Sequence, residues 1–415
     1  APVAACEREV AAYAGFKYCI AANSVGSALF LGLRSAGACG GARVLSNALP
    51  GSAAPAAVHH AGAELVQVES TRDFTVDVRD LALKAQQSGA SFLLLSHSHG
   101  LPPDLPAVAG ACRELGVCLL EDCSDSLGVL IDGRHAGHHG LFCCVSAEGL
   151  LATGGVGGGF LLTDDLGVAA RAAALCGSYD RHFKARYAAP ESAVFQEIQQ
   201  GLYPDYSLQM TSLAGAVLHW QTASLEDRAR QASQRLERVA GCLRRLSGGD
   251  LGREAGLHVP AAPAEVRLSG THLVFLVDLD PASSAQLVAA AEARGVPLRC
   301  LADSGRRERA YFDAGGGLET AGCARTNVLL QKAFGVRVPA RLTVRECELA
   351  GGALAAALAD AVAFSYSMPE AGSPSLRAPS TAGRFSDGEP LGGAAQGPLL
   401  LGAGGADGGA AAAAE

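Results

Sequence analysis

Residues 117–128 read VCLLEDCSDSLG, and this stretch decides the fold class. Its first four residues form a short, uninterrupted apolar run, which is typical of a strand buried inside a parallel sheet. Asp122 follows at the carboxyl end of that strand, where ligands approach an open α/β sheet. The stretch therefore predicts a buried sheet with a polar site at its edge.

On both sides of this stretch, from about Cys6 to Leu175, short apolar runs alternate with helix-like stretches. This alternation predicts a doubly wound α/β domain, with a mostly parallel sheet between helices. The predicted strands are residues 18–22, 43–46, 64–68, 92–96, 117–121, 141–145 and 159–162. The predicted helices, with apolar residues three and four apart, are residues 27–36, 53–61, 78–87 and 105–115.

Three segments are predicted along the chain. Residues 1–246 form the large domain, which ends in a long helical region from 205 to 246 whose charged outer faces suit a domain connection or a partner surface. Residues 247–366 form a smaller α+β domain, with strands at 272–278 and 296–300 and helices at 283–294 and 344–364. Residues 367–415 are rich in Pro, Ser, Gly and Ala, which predicts a disordered low-complexity tail.

The overall composition excludes several classes of protein. The chain has 415 residues, 49% of them hydrophobic, so it can bury a large core. Its net charge of −8 is mild and spread out, which speaks against nucleic acid as a partner. No run of about 18 uncharged apolar residues occurs, so no membrane span is predicted. We expect a cytoplasmic protein, or one of an organelle stroma if a transit peptide is missing from this chain.

Cysteine and histidine are present without the spacing of a metal site. The thirteen cysteines are scattered without a C-x-x-C pair, which argues against a disulfide framework and fits a reducing compartment. His59 and His60 are neighbours, and neighbouring residues of a helix face different directions. His97 and His99 share a face only in an extended chain, and no carboxylate pattern accompanies them. We therefore predict solvated or loop histidines and no metal site.

Eight short motifs carry the functional signal. They are EREVAAYAG at 7–15, AANSVGSAL at 21–29, EDCSDSLG at 121–128, DGR at 132–134, HG at 139–140, GSY at 177–179, PDYSLQM at 204–210 and FGVRVPARLTVREC at 334–347. Their order resembles the DegT/StrS family of pyridoxal-phosphate (PLP) sugar aminotransferases over about residues 7–363. The resemblance implies the aspartate-aminotransferase-like PLP-transferase fold (fold type I), with a large domain and a smaller C-terminal one.

The resemblance implies cofactor contacts at two places. Ser24, Val25, Gly26 and Ser27 lie between a predicted strand and helix, where backbone N–H groups and the positive helix end can hold the PLP phosphate. The alternative there is an ordinary turn with a serine N-cap. Asp122 is implied to pair with the pyridine nitrogen, and its alternative is a helix N-cap or a solvated strand end.

The lysine that holds PLP as a Schiff base in this family is missing. Counting from Phe142 places Glu148 at its position. Only four of the 33 basic residues are lysines, and none of them lies between Lys84 and Lys184. Glu148 supplies no amine, so the resemblance assigns a catalytic position to a residue that cannot form the Schiff base.

Other departures from the family pattern fall on the same pocket. Cys143 stands where the family has a phosphate-contacting serine, and Asp125 where it has histidine or glutamine. Asp205 stands where an asparagine of the partner subunit approaches the phosphate. A carboxylate near a dianion is repulsive, so we expect PLP binding to be weak and non-covalent.

By resemblance, the chain moves an amino group from an amino acid, typically glutamate, to a keto-sugar nucleotide, and it works as a homodimer. Without the lysine we expect little or no transaminase activity. Two alternatives stand beside this interpretation. One is a catalytically inactive relative that acts as a binding or scaffold protein, and the other is a gene-model error at residues 143–158 that hides the lysine.

Overall fold

The central element of the fold is a seven-stranded sheet. The computed structural model describes residues 2–49, 53–151, 153, 155–179, 183, 187, 193–303 and 323–367. All of the predicted tail except Ser367 lies outside the described residues, as does Lys184.

The helices and strands have the following bounds. The helices are α1 (Pro2–Ala14), α2 (Val25–Ala36), α3 (Ala54–His60), α4 (Val78–Ser88), α5 (Leu105–Leu115), α6 (Leu166–Cys176), α7 (Ala193–Gln199), α8 (Ser212–Thr222), α9 (Leu225–Ser247), α10 (Asp250–Glu254), α11 (Pro281–Ala293), α12 (Ala324–Gln331) and α13 (Val344–Ser367). The strands are β1 (Tyr18–Ala22), β2 (Arg43–Asn47), β3 (Glu64–Val68), β4 (Phe92–Ser96), β5 (Cys118–Asp122), β6 (Leu130–Ile131), β7 (Arg134–His135), β8 (Cys143–Ser146), β9 (Gly159–Thr163), β10 (Val266–Arg267), β11 (His272–Leu276), β12 (Leu298–Cys300) and β13 (Ala333–Arg337).

The strands of the central sheet run in the order β1-β9-β8-β5-β4-β2-β3. The pairs β2–β3, β2–β4, β4–β5 and β5–β8 are parallel, whereas β9 is antiparallel to both of its neighbours. In the β4–β5 register, Ser96 lies opposite Asp122, so both strands end at the same edge. The predicted α/β class with a mostly parallel sheet is confirmed.

Caps at both ends fix the helices that cover this sheet. The side chains of Asp77, Asp104 and Asp165 accept hydrogen bonds from the first turns of α4, α5 and α6. Each of these helices ends at a glycine with a left-handed backbone, a conformation that costs glycine little. These stop signals recur along the chain, which is why the helix bounds could be predicted closely.

Separate apolar clusters lie on the two faces of the sheet. One cluster joins α2, α3 and α6 to the inner strands, with the fully buried Leu29, Leu33 and Phe142 at its centre. The other joins α1, α8 and the start of α9 to the opposite face. The strands are buried on both sides, which explains their continuous apolar runs.

The C-terminal part has its own antiparallel sheet, in the order β11-β13-β12. It packs with α11, α13 and the second half of α9 into an apolar cluster formed by residues between Leu236 and Val362. Helix α9 contributes to this cluster and to the one on the central sheet, and it spans the predicted boundary at residues 246 and 247. That boundary stays a prediction.

The predicted long helical region from 205 to 246 is helical only from residue 212 on, and it is divided into two helices. Residues 205–211 are not helical, and α8 and α9 are separate helices. Leu208 accepts a hydrogen bond from the Asn23 N–H (2.9 Å), which holds this segment beside the end of β1. Between the two helices, the hydroxyls of Thr222 and Ser224 donate to carbonyls of the preceding turn, a pattern that competes with helix continuation.

Helix α13 is long and apolar enough to cross a membrane by length and composition alone. Its residues Leu354, Ala357, Leu358 and Ala361 are buried in the C-terminal cluster. A core helix of a large apolar cluster meets the same criteria.

Candidate functional site

The turn between β1 and α2 is built as a capped helix start. Helix α2 begins at Val25, two residues earlier than predicted. The Ser24 Oγ accepts a hydrogen bond from the Ser27 N–H (3.1 Å), and the Ser27 Oγ donates to Asn23 Oδ1 (2.7 Å). The first N–H groups of a helix have no partner within the helix, so those of Val25 and Gly26 are suited to an anion.

The neighbouring strand passes this turn without room for a side chain. A Cβ atom on Gly159 would lie 2.5 Å from both the Val25 backbone N and the Ser24 carbonyl oxygen. Real Cβ atoms essentially never approach so closely, so glycine is required here. Gly159 therefore sets the position of the candidate phosphate turn against the sheet.

Asp122 ends β5 with a buried carboxylate. Its Oδ1 accepts a hydrogen bond from the Ser124 N–H (3.1 Å) and another, very short one, from the Ser124 hydroxyl. Its backbone carbonyl accepts from the His97 N–H (2.9 Å). The carboxylate is thus held in place at the carboxyl edge of the sheet.

His97 and Glu121 form a buried ion pair directly beside Asp122. Their Nε2 and Oε2 atoms are 3.0 Å apart, and both side chains are fully buried. Burial alone would lower the pKa of His97, but Cys123 and the Glu121 carboxylate raise it well above 6.5. Of the predicted solvated or loop histidines, His97 is a loop histidine directly after β4, and it is fully buried and not solvated.

Glu121 is held by further contacts of its own. Its Oε1 accepts hydrogen bonds from the N–H groups of His139 (2.8 Å) and Gly140 (2.6 Å). Burial would raise the pKa of Glu121, but His97 and these N–H groups lower it. His97, Glu121 and Cys123 also form the one group among the described residues whose atoms are close enough to hold a metal ion. Spacing in the sequence did not reveal this cluster.

Glu148 lies two residues beyond the end of β8 and is exposed. Its N–H donates to the Ser146 Oγ (3.1 Å). The next residue, Gly149, has a φ of 110° and lies near Thr271 of the C-terminal part. The position counted for the missing lysine is therefore at the same edge of the sheet as Asp122, and it carries a carboxylate.

The three lysines among the described residues all lie away from the edge of the sheet where Asp122 ends. Lys17 precedes β1, at the opposite end of that strand from the turn. The amine of Lys84 donates to the Gln67 carbonyl (2.6 Å), and the amine of Lys332 pairs with Asp278 (2.6 Å). Among the described residues, none supplies an amine at the edge where Asp122 ends.

The structure does not bring Cys143 to the edge. Cys143 begins β8 and is fully buried, and it lies opposite Glu121 in the register. A Cβ on Gly137 would meet its Sγ at 2.5 Å, so the thiol is enclosed by the chain. Ser146, at the other end of β8, is the polar residue of this strand that reaches the edge.

Asp125 and Asp205 lie on different sides of the candidate pocket. The Asp125 carboxylate accepts from the His99 N–H (3.2 Å), and burial raises its pKa, opposed by His272 and other neighbours. Asp205 is exposed, accepts from the Ser207 N–H (2.7 Å) and lies against Gly177. Asp205 precedes the residues that contact the end of β1, where Leu208 accepts from the Asn23 N–H and Gln209 pairs with Ala22.

The residues at this edge fit the phosphate and the pyridine nitrogen of PLP, and they do not supply its covalent anchor. The start of α2 offers backbone N–H groups and hydroxyls to a phosphate, and the buried Asp122 offers a fixed carboxylate to a pyridine nitrogen. Glu148 cannot supply the amine of a Schiff base. The sequence did not reveal the role of Ser124, which holds Asp122, or the pairing of His97 with Glu121. Only the adjacency of these residues to Asp122 in the folded sheet indicates their roles.

Comparison with solved structures shows the same fold. The chain is similar to an aminotransferase from Psychrobacter cryohalolentis (TM-score 0.71, 18% identity, 86% of this chain and 91% of that one). It is also similar to the PLP form of the sugar aminotransferase Spr1654 from Streptococcus pneumoniae (TM-score 0.68, 15% identity, 87% and 92%). A third neighbour is DesV from S. venezuelae (TM-score 0.70, 21% identity, 86% and 89%).

Relatives by sequence point the same way over shorter stretches. SpsC, a spore coat polysaccharide biosynthesis protein of Bacillus subtilis, is 28% identical over 240 residues, which is 57% of this chain and 59% of SpsC. A UDP-N-acetyl-3-dehydro-alpha-D-glucosamine 3-aminotransferase of Acidithiobacillus ferrooxidans is 28% identical over 165 residues, 39% and 44% of the two chains. The alignments thus cover about half of these relatives. The model of the DegT/DnrJ/EryC1/StrS aminotransferase family matches residues 2–345, so the chain belongs to that family.

Proposed function

We propose that this protein is a sugar-aminotransferase homologue that binds PLP, or its amine form, without a covalent bond and catalyses little or no amino transfer. Glu148 carries the proposal, because it stands exposed at the counted lysine position, at the same edge as Asp122. When bound in an aminotransferase, the cofactor stores the amino group between the two substrates. In this chain, Asp122 would orient the pyridine ring and the start of α2 would hold the phosphate.

The charges around the pocket support weak binding. Glu148 is an exposed carboxylate at the sheet edge, and the exposed Asp205 lies against Gly177 at the end of α6. Each disfavours a phosphate dianion, although solvent screens such exposed charges. The N–H groups at the start of α2 and the helix dipole favour binding of the phosphate dianion. We expect a measurable but weak affinity for the cofactor.

The test compares the wild type with Glu148→Lys and Glu148→Gln. Each protein is mixed with PLP, treated with borohydride and digested, and lysine adducts are mapped by mass spectrometry. We expect no specific adduct in the wild type or in Glu148→Gln, and an adduct at residue 148 in Glu148→Lys. A stoichiometric adduct on a native lysine of the wild type would overturn the proposal.

Amino-group transfer and sugar binding are measured separately. The wild type is incubated with glutamate, PLP and a UDP-linked keto-sugar, and product is followed by mass spectrometry. Turnover would contradict the proposed loss of activity. Binding of the UDP-sugar without turnover would favour the second candidate, a non-catalytic nucleotide-sugar-binding protein. This candidate is suggested because the chain has the Ser24 turn and Asp122 but lacks the lysine amine at position 148.

We further propose a cytoplasmic or stromal homodimer. Support for the dimer comes from exposed apolar side chains between residues 202 and 220, namely Leu202, Tyr206, Leu213 and Trp220. Analytical ultracentrifugation of the wild type and of Trp220→Glu tests this, with a monomeric wild type as the contradicting result.

A further inference from the structure

Lys84 and Cys323 meet far from the candidate pocket. Lys84 lies on α4 and Cys323 directly precedes α12, 239 residues later, yet the Lys84 Nζ is 3.2 Å from the Cys323 Sγ. The same Nζ lies 3.2 Å from the Asp80 carboxylate and donates to the Gln67 carbonyl (2.6 Å). The thiol is buried and the lysine side chain is 15% exposed. These contacts hold the amine against the sulfur.

The contact favours the reactive form of the thiol. A thiolate is the nucleophilic form of cysteine, and a neighbouring ammonium stabilises it. Burial raises the pKa of Cys323, and the Lys84 ammonium offsets only part of that rise, so the pKa stays above its ordinary value. A thiolate that attacks a peroxide becomes a sulfenic acid, which condenses with a thiol to a disulfide or with a backbone nitrogen to a sulfenamide.

We propose that Cys323 and Lys84 form a reducible covalent cross-link when the protein meets a hydroperoxide. In the first step the thiolate sulfur attacks one peroxide oxygen, which gives the sulfenic acid and hydroxide. Sulfur loses two electrons and the peroxide O–O bond takes them up. The hydroxide removes one proton from the Lys84 ammonium and becomes water.

In the second step the free amine attacks the sulfenic sulfur. The N–S bond forms, the S–O bond breaks, and the leaving oxygen departs as water with a proton from nitrogen. Overall, one ammonium, one thiolate and one hydrogen peroxide give one S–N link and two waters. The amine is already at contact distance, so the second step needs no movement of α4 or α12.

The link would fasten α12 to the large sheet. Glu69, just after β3, already accepts hydrogen bonds from the Thr326 N–H (2.7 Å) and hydroxyl (2.6 Å) at the start of α12. Arg325 pairs with Asp77 at the start of α4 (2.9 Å). A covalent bond at the same junction would make this docking permanent under oxidising conditions and reversible on reduction.

Mass spectrometry tests the link in the full chain. The protein is treated with hydrogen peroxide, blocked with a thiol reagent, and digested without reductant. We expect one linked pair of peptides, carrying Lys84 and Cys323, lighter than their sum by two hydrogens and released by dithiothreitol. A linked pair that retains one oxygen between the two atoms would be a more oxidised product and would contradict the direct S–N bond.

Two variants and one internal control sharpen the test. Cys323→Ser removes the sulfur, and Lys84→Arg keeps a cation beside Asp80 but cannot condense. Cys242 is the matched control within the chain, because the Arg245 Nη2 contacts its Sγ at 3.3 Å in place of a lysine. We expect Cys242 to oxidise without forming a link. We also expect the thermal midpoint of the wild type to rise on oxidation and return on reduction, with no such cycle in Lys84→Arg.

Three further results would overturn the proposal. In the first, dimedone traps Cys323 as a sulfenic acid while no linked pair forms. In the second, Cys323 pairs with another cysteine as a disulfide. In the third, Cys323 remains a thiol at a peroxide dose that oxidises Cys242.

Discussion

At the scale of single residues, the carboxyl edge of β5 depends on one buried charge network. Glu121 takes hydrogen bonds on both oxygens, two from backbone N–H groups and one from His97. His97 in turn donates its N–H to the Asp122 carbonyl. The candidate cofactor carboxylate is thus positioned by residues that never reach the surface.

Replacing His97 by alanine should destabilise the fold strongly. The Glu121 carboxylate would then be buried without its counter-charge, which costs about 3–5 kcal/mol. Urea unfolding followed by circular dichroism measures this loss. The exposed His59 is the matched control, and His59→Ala should stay within about 0.5 kcal/mol of wild type. Equal losses in both variants would refute the buried pair.

The same pair predicts how stability depends on pH. The pKa of folded His97 lies well above 6.5, so the folded state binds more protons than the unfolded state over the interval between these values. The stabilisation is fully present below pH 6.5 and is lost as the pH rises through the folded pKa. Unfolding free energies of the wild type and His97→Gln across this range should diverge most at low pH. Parallel curves would show that His97 does not titrate as stated.

At the scale of elements, β9 packs against the start of α2 so closely that no side chain fits between them. Gly159→Ala would place a methyl group 2.5 Å from the Val25 backbone N. Overpacking of this kind typically costs about 1–3 kcal/mol, and here it would also displace the phosphate turn. We expect both a lower unfolding free energy and weaker binding of the PLP amine form by calorimetry.

Gly110→Ala supplies the control for this substitution. Gly110 lies within α5, and nothing lies within 4 Å of a Cβ built there. Alanine in a helix interior is favoured over glycine by about 0.8–1.0 kcal/mol, so this variant should be slightly stabilised and bind normally. A Gly159→Ala protein that behaved like Gly110→Ala would disprove the close approach.

Much of the element pattern was predictable from the sequence because its signals are local. The strands at 18–22, 64–68 and 92–96 were predicted with the bounds observed, since each is a short apolar run between turn residues. The break between α8 and α9 was not, because hydroxyl groups of Thr222 and Ser224 decide it within an otherwise helical pattern.

The candidate site was predictable where it depends on strand ends. Ser24 and Asp122 lie at the edge because the carboxyl ends of parallel strands meet there. Cys143 and His97 could not be placed, because strand register decides whether a side chain is enclosed or reaches the edge. Only the folded sheet shows that His97 and Glu121 are partners.

At the scale of the whole molecule, Glu69 joins the central sheet to the C-terminal part. Its buried carboxylate accepts three hydrogen bonds from Arg325 and Thr326 at the start of α12. Glu69→Gln turns one acceptor into a donor that faces those N–H groups. This change should lower the unfolding free energy by about 1–3 kcal/mol. We expect faster hydrogen exchange of the α12 amides in this variant.

Glu64→Gln is the control for this prediction. Glu64 pairs with Arg43 at the surface (2.9 Å), with both side chains more than half exposed. Such exposed pairs contribute about 0–1 kcal/mol, so exchange in α12 should not change. If Glu69→Gln also left α12 unchanged, the docking of this helix would have to rest on other contacts.

Helix α9 has a mechanical consequence for the molecule. Its 23 residues make a rod about 34 Å long. Leu225 and Ala229 are embedded in the cluster on the central sheet, and Val239 and Leu243 in the C-terminal cluster. Sharp bending of the helix would break its main-chain hydrogen bonds. A displacement of one end of the helix is therefore transmitted to the other end. Because one helix contributes side chains to both clusters, a tilt of this helix relative to one cluster also displaces the side chains that it contributes to the other.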